Sequence, residues 1–345
     1  MSNILITGGA GYIGSHTSLL LLDKGHKVII FDSFINSSNK NIQRILSFIK
    51  GTNIENNLII FKVDIRDYKS MEDIFNKLNN NNLRIDSVIH FAGLKDTNKS
   101  INNPINYWDN NVNGSINLFK LMEKFGCRNI VFSSSAAVYD ISNGGNNLKE
   151  SSNKKPITPY GETKLTVEMI LEDIQRSQNT RWSIASLRYF NPIGAHHKGI
   201  VGEDPINFST NIFPSIIEVA CGERKEIEVY GSDWETKDGT GVRDYIHIMD
   251  LAEAHIAALE KIKNNNDILT LNIGTGIGTS VLDLINTFEK VNKIKIKKIF
   301  LKRRPGDFGK VIANNKLAIK KLDWTPKRSI EDMCRDGWLF RTLNR

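Results

Sequence analysis

Tyr160 and Lys164 stand four residues apart in the run Thr158-Pro159-Tyr160-Gly161-Glu162-Thr163-Lys164. On a helix that spacing puts both side chains on one face. Pro159 suits the first helical position, where a missing N–H is no loss, and Thr158 suits the cap before it. A free phenol, with a pKa near ~10, is a poor base at neutral pH. A lysine ammonium one turn away stabilises the phenolate and lowers that pKa by about 1–3 units, and a second cation lowers it further. An oxidised nicotinamide ring is such a cation. The pair therefore fits a tyrosine base working beside a nicotinamide, if the chain binds one. Alone, Tyr-x-x-x-Lys is equally a chance pair on an amphipathic surface.

The start of the chain supplies a place for a dinucleotide. Residues 3–7 form a short apolar run, Gly8-Gly9-Ala10-Gly11-Tyr12-Ile13-Gly14 follows, and a helix-like stretch runs from Ser15 to Lys24. Gly9, Gly11 and Gly14 satisfy G-x-G-x-x-G, and Gly8, Gly11 and Gly14 satisfy G-x-x-G-x-x-G. Glycines let the backbone approach a pyrophosphate, and the helix N-terminus faces it with free N–H groups and a positive dipole end. A second strand-like run, Val28 to Phe31, ends in Asp32, 18 residues after Gly14. A carboxylate there can accept hydrogen bonds from the adenosine ribose hydroxyls.

The elements that must position these groups alternate in type. Strand-like runs lie at Leu58 to Val63, Ser87 to Phe91, Ile130 to Ser133 and Trp182 to Tyr189. Helix-like runs lie near Met71–Leu78, Ile105–Phe125 and Gly161–Gln175. That alternation predicts a parallel sheet covered on both faces, with ligands beyond the carboxyl ends of its strands. Asp64, the run Phe91-Ala92-Gly93-Leu94-Lys95 and Ser133-Ser134-Ser135 all fall at such ends. Ala92 and Gly93 are small enough for a cofactor to lie on the backbone; Lys95 suits a phosphate or a solvated loop. Asn110-Asn111-Val112-Asn113-Gly114 interrupts a helix-like run with poor helix formers. It reads as a cap or kink, or as an amide turned towards the cofactor.

After Asn191-Pro192 the pattern changes to turns and short apolar runs. The fold class expected is α/β: a Rossmann-type doubly wound parallel sheet over residues 1–190, and a smaller α/β substrate domain over 191–345. The chain is expected to return to the first domain around 243–262. Asp250 and Glu253 fit a capped helix start, running to about Lys261. Leu269 to Ile273 is strand-like, and Gly274-Thr275-Gly276-Ile277-Gly278, lacking an acidic partner at the right distance, reads as structural. The adjacent His196 and His197 diverge and have no companion ligand spacing, so no metal site is expected.

Composition narrows the class. Across 345 residues, 40% hydrophobic and 24% charged content is ordinary for a soluble globular protein. Lys and Arg number 46 against 38 Asp and Glu, a net charge of +8. The lysines are scattered among asparagines, and the densest run, residues 293–298, alternates lysine with isoleucine as a half-buried strand would. Nucleic-acid binding is therefore not expected. No apolar run is long enough to span a bilayer and no leader pattern follows Met1, so no membrane partner and a cytoplasmic location are expected. The three cysteines, Cys127, Cys221 and Cys334, are too separated and too few for a disulfide framework.

The glycine fingerprint, the serine cluster and the Tyr160–Lys164 pair together resemble the extended short-chain dehydrogenase/reductase superfamily. Four further runs sharpen the likeness: residues 90–95 (HFAGLK), 109–114 (DNNVNG), 187–192 (LRYFNP) and 239–247 (GTGVRDYIH). They resemble the UDP-glucose 4-epimerase family over nearly the whole chain. The resemblance implies tightly bound NAD and inversion at C4 of a UDP-hexose. Tyr160 would take the C4 hydroxyl proton, Ser135 would bond the C4 oxygen, and Lys164 would bond the nicotinamide ribose and hold Tyr160 ionised. It carries further cofactor contacts to Tyr12, Ile13, Asp32, Asn36, Ser37, Asp64, Ile65, Phe91, Lys95, Asn110 and Phe190. Substrate contacts carry to Asn191, Asn211, Tyr230, Arg243, Arg304 and Asp307, with Val311 setting pocket size and leaving room for N-acetylated sugars. A homodimer through helices near 105–125 and 161–175 is implied.

Two positions depart from that family. Ala137 stands where Thr or Ser is usual, removing a hydroxyl that could touch the sugar, and Asp140 stands where glycine is usual. A nucleotide-sugar 4,6-dehydratase is the nearest alternative. It would need an added acid–base pair, and Ala136-Ala137 follows Ser135 instead. A dinucleotide-sensing regulator without catalysis would have no need of the Tyr/Lys pair.

Overall fold

Val28, Ile29, Ile30 and Phe31 are all fully buried, as a strand covered on both faces requires. The same holds along the neighbouring strands, and it sets the architecture. The computed structural model describes residues 1–142, 144–177, 181–204, 211–263, 265–304 and 307–344.

The first half runs β1 (Asn3–Thr7), α1 (Tyr12–Asp23), β2 (Lys27–Asp32), α2 (Lys40–Ile49), β3 (Leu58–Lys62), α3 (Tyr68–Asn80), β4 (Ser87–His90), α4 (Thr97–Asn102), α5 (Pro104–Tyr107), α6 (Gly114–Lys124), β5 (Asn129–Ser135), β6 (Gly145–Leu148), α7 (Pro159–Arg176) and β7 (Ser183–Tyr189). The second half runs β8 (Asn191–Ile193), α8 (Ile212–Ala220), β9 (Ile227–Tyr230), β10 (Val242–His247), α9 (Ile248–Ile262), β11 (Ile268–Ile273), β12 (Gly278–Ser280), α10 (Val281–Asn292), β13 (Lys298–Leu301), β14 (Lys310–Ala313), α11 (Lys316–Leu322) and α12 (Ile330–Leu343).

Seven strands form one sheet in the order β11-β7-β5-β4-β1-β2-β3, every neighbouring pair parallel. Side chains alternate between its faces. Ile4 and Ile6 pack with Leu19, Leu22 and Ile256 under α1 and α9; Leu5 packs on the other face with Phe75, Leu118 and Val167 under α3, α6 and α7. The order of connection reverses between β1 and β4, where an open α/β sheet leaves its ligand crevice.

A second set of strands, β12-β10-β14-β6 with β8 beside β10, and the pair β9–β13, surround a separate core that includes Phe213, Ile216, Phe288 and Met333. The expected cut at residue 190 is thereby corrected in two places. β6, from the first half, joins the smaller sheet, and β11 forms the edge of the large one through a six-residue parallel register with β7. The return extends past 262 because β11 is apolar enough to extend the large core, where Leu271 and Ile273 are buried.

Three local expectations also change. The run 105–125 is not one helix: residues Trp108–Asn113 form a π turn between α5 and α6. α9 starts at Ile248 with His247 as its cap, because Asp250 turns away to accept from the Lys327 and Arg328 amides and to pair with Arg328. Residues 293–297 are a connection, with Lys293 in the left-handed region, and the strand begins at Lys298.

Candidate active site

The glycine turn is built by close approach. Gly8 has a φ of +71°, and a Cβ there would lie 2.7 Å from the Ala92 nitrogen. A Cβ on Gly14 would lie 2.3 Å from the Gly8 carbonyl oxygen, so α1 can dock on the turn only with glycine there. Gly11, the cap of α1, faces open space apart from the Gly8 oxygen at 3.3 Å. That leaves a bare backbone cradle at a helix N-terminus. Tyr12 and Ile13 are partly buried behind it, and the Tyr12 hydroxyl donates to the Gly194 carbonyl at 2.6 Å. At the tip of β2 the Asp32 carboxylate accepts from Ala10 N, Phe34 N and Ser37 Oγ, each at 2.9 Å. Asn36, next to Ser37, is exposed.

Across the crevice, Asp64 follows β3 and is held by Arg66, whose guanidinium also reaches Asp109 at 3.3 Å. That hydrogen bonding keeps the Asp64 carboxyl below its ordinary range. Ile65 fills the space against Gly114. After β4, Phe91 packs on His255 with ring centres 4.7 Å apart, and Ala92 N donates to Thr7 Oγ1 at 3.3 Å. Lys95 is exposed and pairs with Glu203 at 3.3 Å.

Ser135, Tyr160 and Lys164 come together where β5 ends against α7. The helix begins as its sequence dictates, with Pro159 in the first turn and the Thr158 hydroxyl accepting from Gly161 N at 3.3 Å. A Cβ on Gly161 would lie 2.5 Å from the Ala137 oxygen, so glycine lets α7 press onto the end of β5. Ser135 hydrogen-bonds the Tyr160 hydroxyl. Lys164 is buried, donates to the Ser133 carbonyl at 2.7 Å and lies over the Phe132 ring at 5.0 Å. The expected depression of the Tyr160 pKa is not what the protein alone produces. Burial pushes the phenol up, with only the Ser135 hydrogen bond opposing it. Burial also lowers Lys164 to about 8, against the pull of Glu168. Lys164 spends its hydrogen bond on Ser133, and its charge is the one desolvated.

The positions expected to meet substrate line the smaller sheet. Phe190 is buried in a cluster with Ala136, Tyr139 and Leu148, against which Val311 packs from β14. Asn191 opens β8 and Asn211 precedes α8. The Arg304 guanidinium stacks on the Tyr230 ring at 3.5 Å. Arg243 donates to the Phe308 carbonyl at 2.9 Å and approaches Asp307 at 3.8 Å. Pro305 and Gly306, between these groups, lie outside the described residues. Val311 pairs in register with Arg243, which sets the pocket-size position beside an arginine. Asp140 has negative φ and accepts from Ser142 and Asn153, so glycine is not required there. The glycine run 274–278 wraps the Asp244 carboxylate, which accepts from the Thr275 and Gly276 amides.

Several groups escaped sequence reasoning. Asn111, not Asn110, is the amide buried at the centre: it accepts from Leu94 N at 2.8 Å and donates to Thr163 Oγ1 at 3.1 Å. It also borders Gly93, on which a Cβ would lie 3.3 Å from Asn111 Oδ1 and 3.7 Å from Lys164 Nζ. Asn110 is only partly buried. Glu168, one turn beyond Lys164, is buried and ion-paired to Arg188 at 2.6 Å. The repeat 160, 164, 168 on one helical face was the available signal.

Comparison with known proteins agrees with this geometry. The chain matches the family model described as GDP-mannose 4,6 dehydratase over residues 5–337. It is 45% identical over 346 residues to UDP-glucose 4-epimerase 2 of Arabidopsis thaliana, covering 99% of this chain and 95% of that protein. Among solved structures, the UDP-glucose 4-epimerase of Bifidobacterium longum in complex with NAD+ and UDP is 41% identical with a TM-score of 0.91, covering 99% of each chain. The enzyme from Stenotrophomonas maltophila, with bound NAD and formylated UDP-arabinopyranose, gives the same identity and score over 99% of this chain and 98% of that one. With residues and backbone both retained from end to end at this level, the chain belongs to the UDP-glucose 4-epimerase family.

Proposed function

We infer that the protein interconverts UDP-galactose and UDP-glucose by inversion at C4, using NAD. The observation that carries this reading is the meeting of Ser135, Tyr160 and Lys164 at the mouth of the parallel sheet, beside the bare glycine cradle.

The residues present fit a dinucleotide. Gly8, Gly11 and Gly14 leave backbone for a pyrophosphate, Asp32 presents a carboxylate to the adenosine ribose, and Ala92 and Gly93 leave the nicotinamide side uncrowded. Asp64 and Ile65 border the adenine side, with Asn110 and Lys95 as further contacts at the rim. When bound, NAD supplies an acceptor, and later a donor, for the C4 hydride. Tyr160 takes the C4 hydroxyl proton and returns it, and Ser135 holds the C4 oxygen during the exchange. A nicotinamide cation in this place would offset the burial that raises Tyr160. Lys164, anchored on Ser133, orients the ribose and keeps a positive charge beside the phenol.

The sugar must turn over while the nucleotide stays fixed. Arg243 and Arg304 offer planar forks for the diphosphate, and Asn191, Asn211, Tyr230 and Asp307 surround the remainder. Val311 leaves space at the sugar's C2 substituent, so N-acetylhexosamine forms are also accepted. Dehydration would require a further acid–base pair after Ser135, and Ala136 and Ala137 offer none.

α5 and α7 carry an exposed apolar surface, with Ile105 84% and Met169 56% exposed and Ile101 beside them on α4. It supports a homodimer through these helices. The three free cysteines accord with a reducing cytoplasm; among the described residues no helix is long and apolar enough to cross a membrane. Purified protein incubated with UDP-galactose is expected to yield UDP-glucose. A protein that carries NAD and yields none would overturn the reading.

A further inference from the structure

Behind Tyr160 and Lys164 lies a buried ionic network that the proposed chemistry does not use. Glu168 and Arg188 are 2% and 1% exposed. Arg188 grips both carboxylate oxygens, Nε to Oε1 at 2.9 Å and Nη2 to Oε2 at 2.6 Å. Oε1 also accepts from Ser134 Oγ at 2.5 Å. Ser134 and Arg188 are direct partners in the parallel register of β5 and β7. Glu168 therefore ties α7 to two adjacent strands at the level where β5 delivers its functional atoms. The carbonyl that receives Lys164 belongs to Ser133, and the hydroxyl that meets Tyr160 belongs to Ser135. The tie at Ser134 sits between them.

A buried ion pair is a poor choice for stability alone, since a well-packed apolar pair of similar volume is often as good or better. What a bidentate carboxylate–guanidinium pair supplies is fixed geometry. We propose that Glu168 is a positioning residue for the reaction, locking the end of β5 through Ser134 so that Ser133 and Ser135 hold Lys164 and Tyr160 in register. This rests on the epimerase reading above.

A second consequence is electrostatic. Lys164 faces Tyr160 and Glu168 on its own helix and His90 on β4. Among these Glu168 is the anion, and it opposes the loss of the Lys164 proton. His90 is held neutral by burial, its pKa lowered to about 3.

Three variants test the proposal. Ser134→Ala removes the link to β5 and leaves the ion pair. Ser134→Thr keeps the hydroxyl. Glu168→Gln combined with Arg188→Met removes the pair without stranding one buried charge, which a single substitution would do. Each is read by thermal melting, by kcat and KM for UDP-galactose across pH, and by a crystal structure giving the Lys164–Ser133 distance. Ser134→Ala is expected to melt near wild type, open that 2.7 Å bond, and lower kcat by about 10-fold to 100-fold with KM little changed. Ser134→Thr is expected to recover most of the loss. The double variant is expected to move the alkaline limb of kcat down, whatever its melting point.

A bond kept at its present length in Ser134→Ala overturns the proposal, and so does an opened bond with unchanged kcat. A double variant whose kcat loss follows its melting point, with the pH profile unmoved, assigns Glu168 a purely structural role. Wild-type protein without epimerase activity would sink the functional reading instead, while the distance in Ser134→Ala would still decide whether Glu168 sets the register.

Discussion

Lys164 reaches the carbonyl of Ser133 at 2.7 Å, while the centre of the Tyr160 ring lies 5.9 Å from the same ammonium. The lysine is thus bound to the strand and not to the phenol. The phenol's own support in the protein is the Ser135 hydroxyl, and Lys164 is held at a fixed distance from it by the strand.

Tyr160→Phe removes the hydroxyl proposed to take the C4 proton. The fold and the dinucleotide content are expected to stay as in wild type, and turnover is expected to fall by at least ~10²–10⁴. Steady-state kinetics with UDP-galactose, together with release of the cofactor on denaturation, measures both; near-normal turnover would sink the assignment.

The Lys164 proton makes stability depend on pH. In the folded protein its pKa is about 8, against an ordinary value near ~10.4 in the unfolded chain. Between those values the unfolded chain holds more protons, so stability rises with pH through the window. Lys164→Met abolishes this contribution. The difference in unfolding free energy, wild type minus variant, is expected to climb by on the order of 3 kcal/mol from about pH 8 to about pH 10.4 and to be flat below it. Urea melts at several pH values test the sign, and a difference that falls with pH contradicts it.

On the proposed reading Asp32 sets the choice of dinucleotide. Its carboxylate, already engaged by Ala10, Phe34 and Ser37, would face a 2′-phosphate with like charge. Cofactor released by denaturing the purified protein is expected to be NAD. Asp32→Asn is expected to weaken NAD binding by about 1–3 kcal/mol and to narrow the preference over NADP, as read by titration of the stripped protein. NADP in the supernatant of wild type would be incompatible with this role.

Val311→Tyr should close the space at the sugar's C2 substituent. Activity on UDP-N-acetylglucosamine is expected to disappear and activity on UDP-glucose to remain within a few-fold. Wild type that turns over UDP-glucose but not its N-acetyl counterpart would mean that neighbouring packing already fills the space.

Ile105→Glu places a charge on the most exposed apolar side chain of α5. Size-exclusion chromatography with light scattering is expected to give a dimer for wild type and a shift towards monomer for the variant. A wild-type monomer would refute the dimer.

The features legible in the sequence were those encoded locally. The glycine turn, the capped start of α7 and the apolar strands are properties of short windows, and they form as their residues predict. What was hidden depends on distant partners. Asn111 and Asn110 are chemically identical, and only the π turn, with its bonds to Leu94 and Thr163, decides which is buried. The direction of the Tyr160 pKa is set by the burial of α7 against β5, which spacing along one helix does not encode. The membership of β11 in the large sheet follows from its pairing with β7, 79 or more residues earlier in the chain. Asp250 carries every mark of a cap, yet a loop more than 70 residues away claims its carboxylate.

The π turn at Trp108–Asn113 also takes up an extra residue while leaving the helices on either side nearly in phase. It holds one residue more per turn than the α-helices it joins, and each residue of an α-helix advances the azimuth by about 100°. Deleting a single residue there would let the segment relax to a continuous α-helix with α5 and α6 close to their present bearings. Ile105 would keep its outward face, while the asparagine run would close up and Asn111 would lose its seat against Thr163. In such a deletion the outward face of α5 would survive and the placement of the central amide would not.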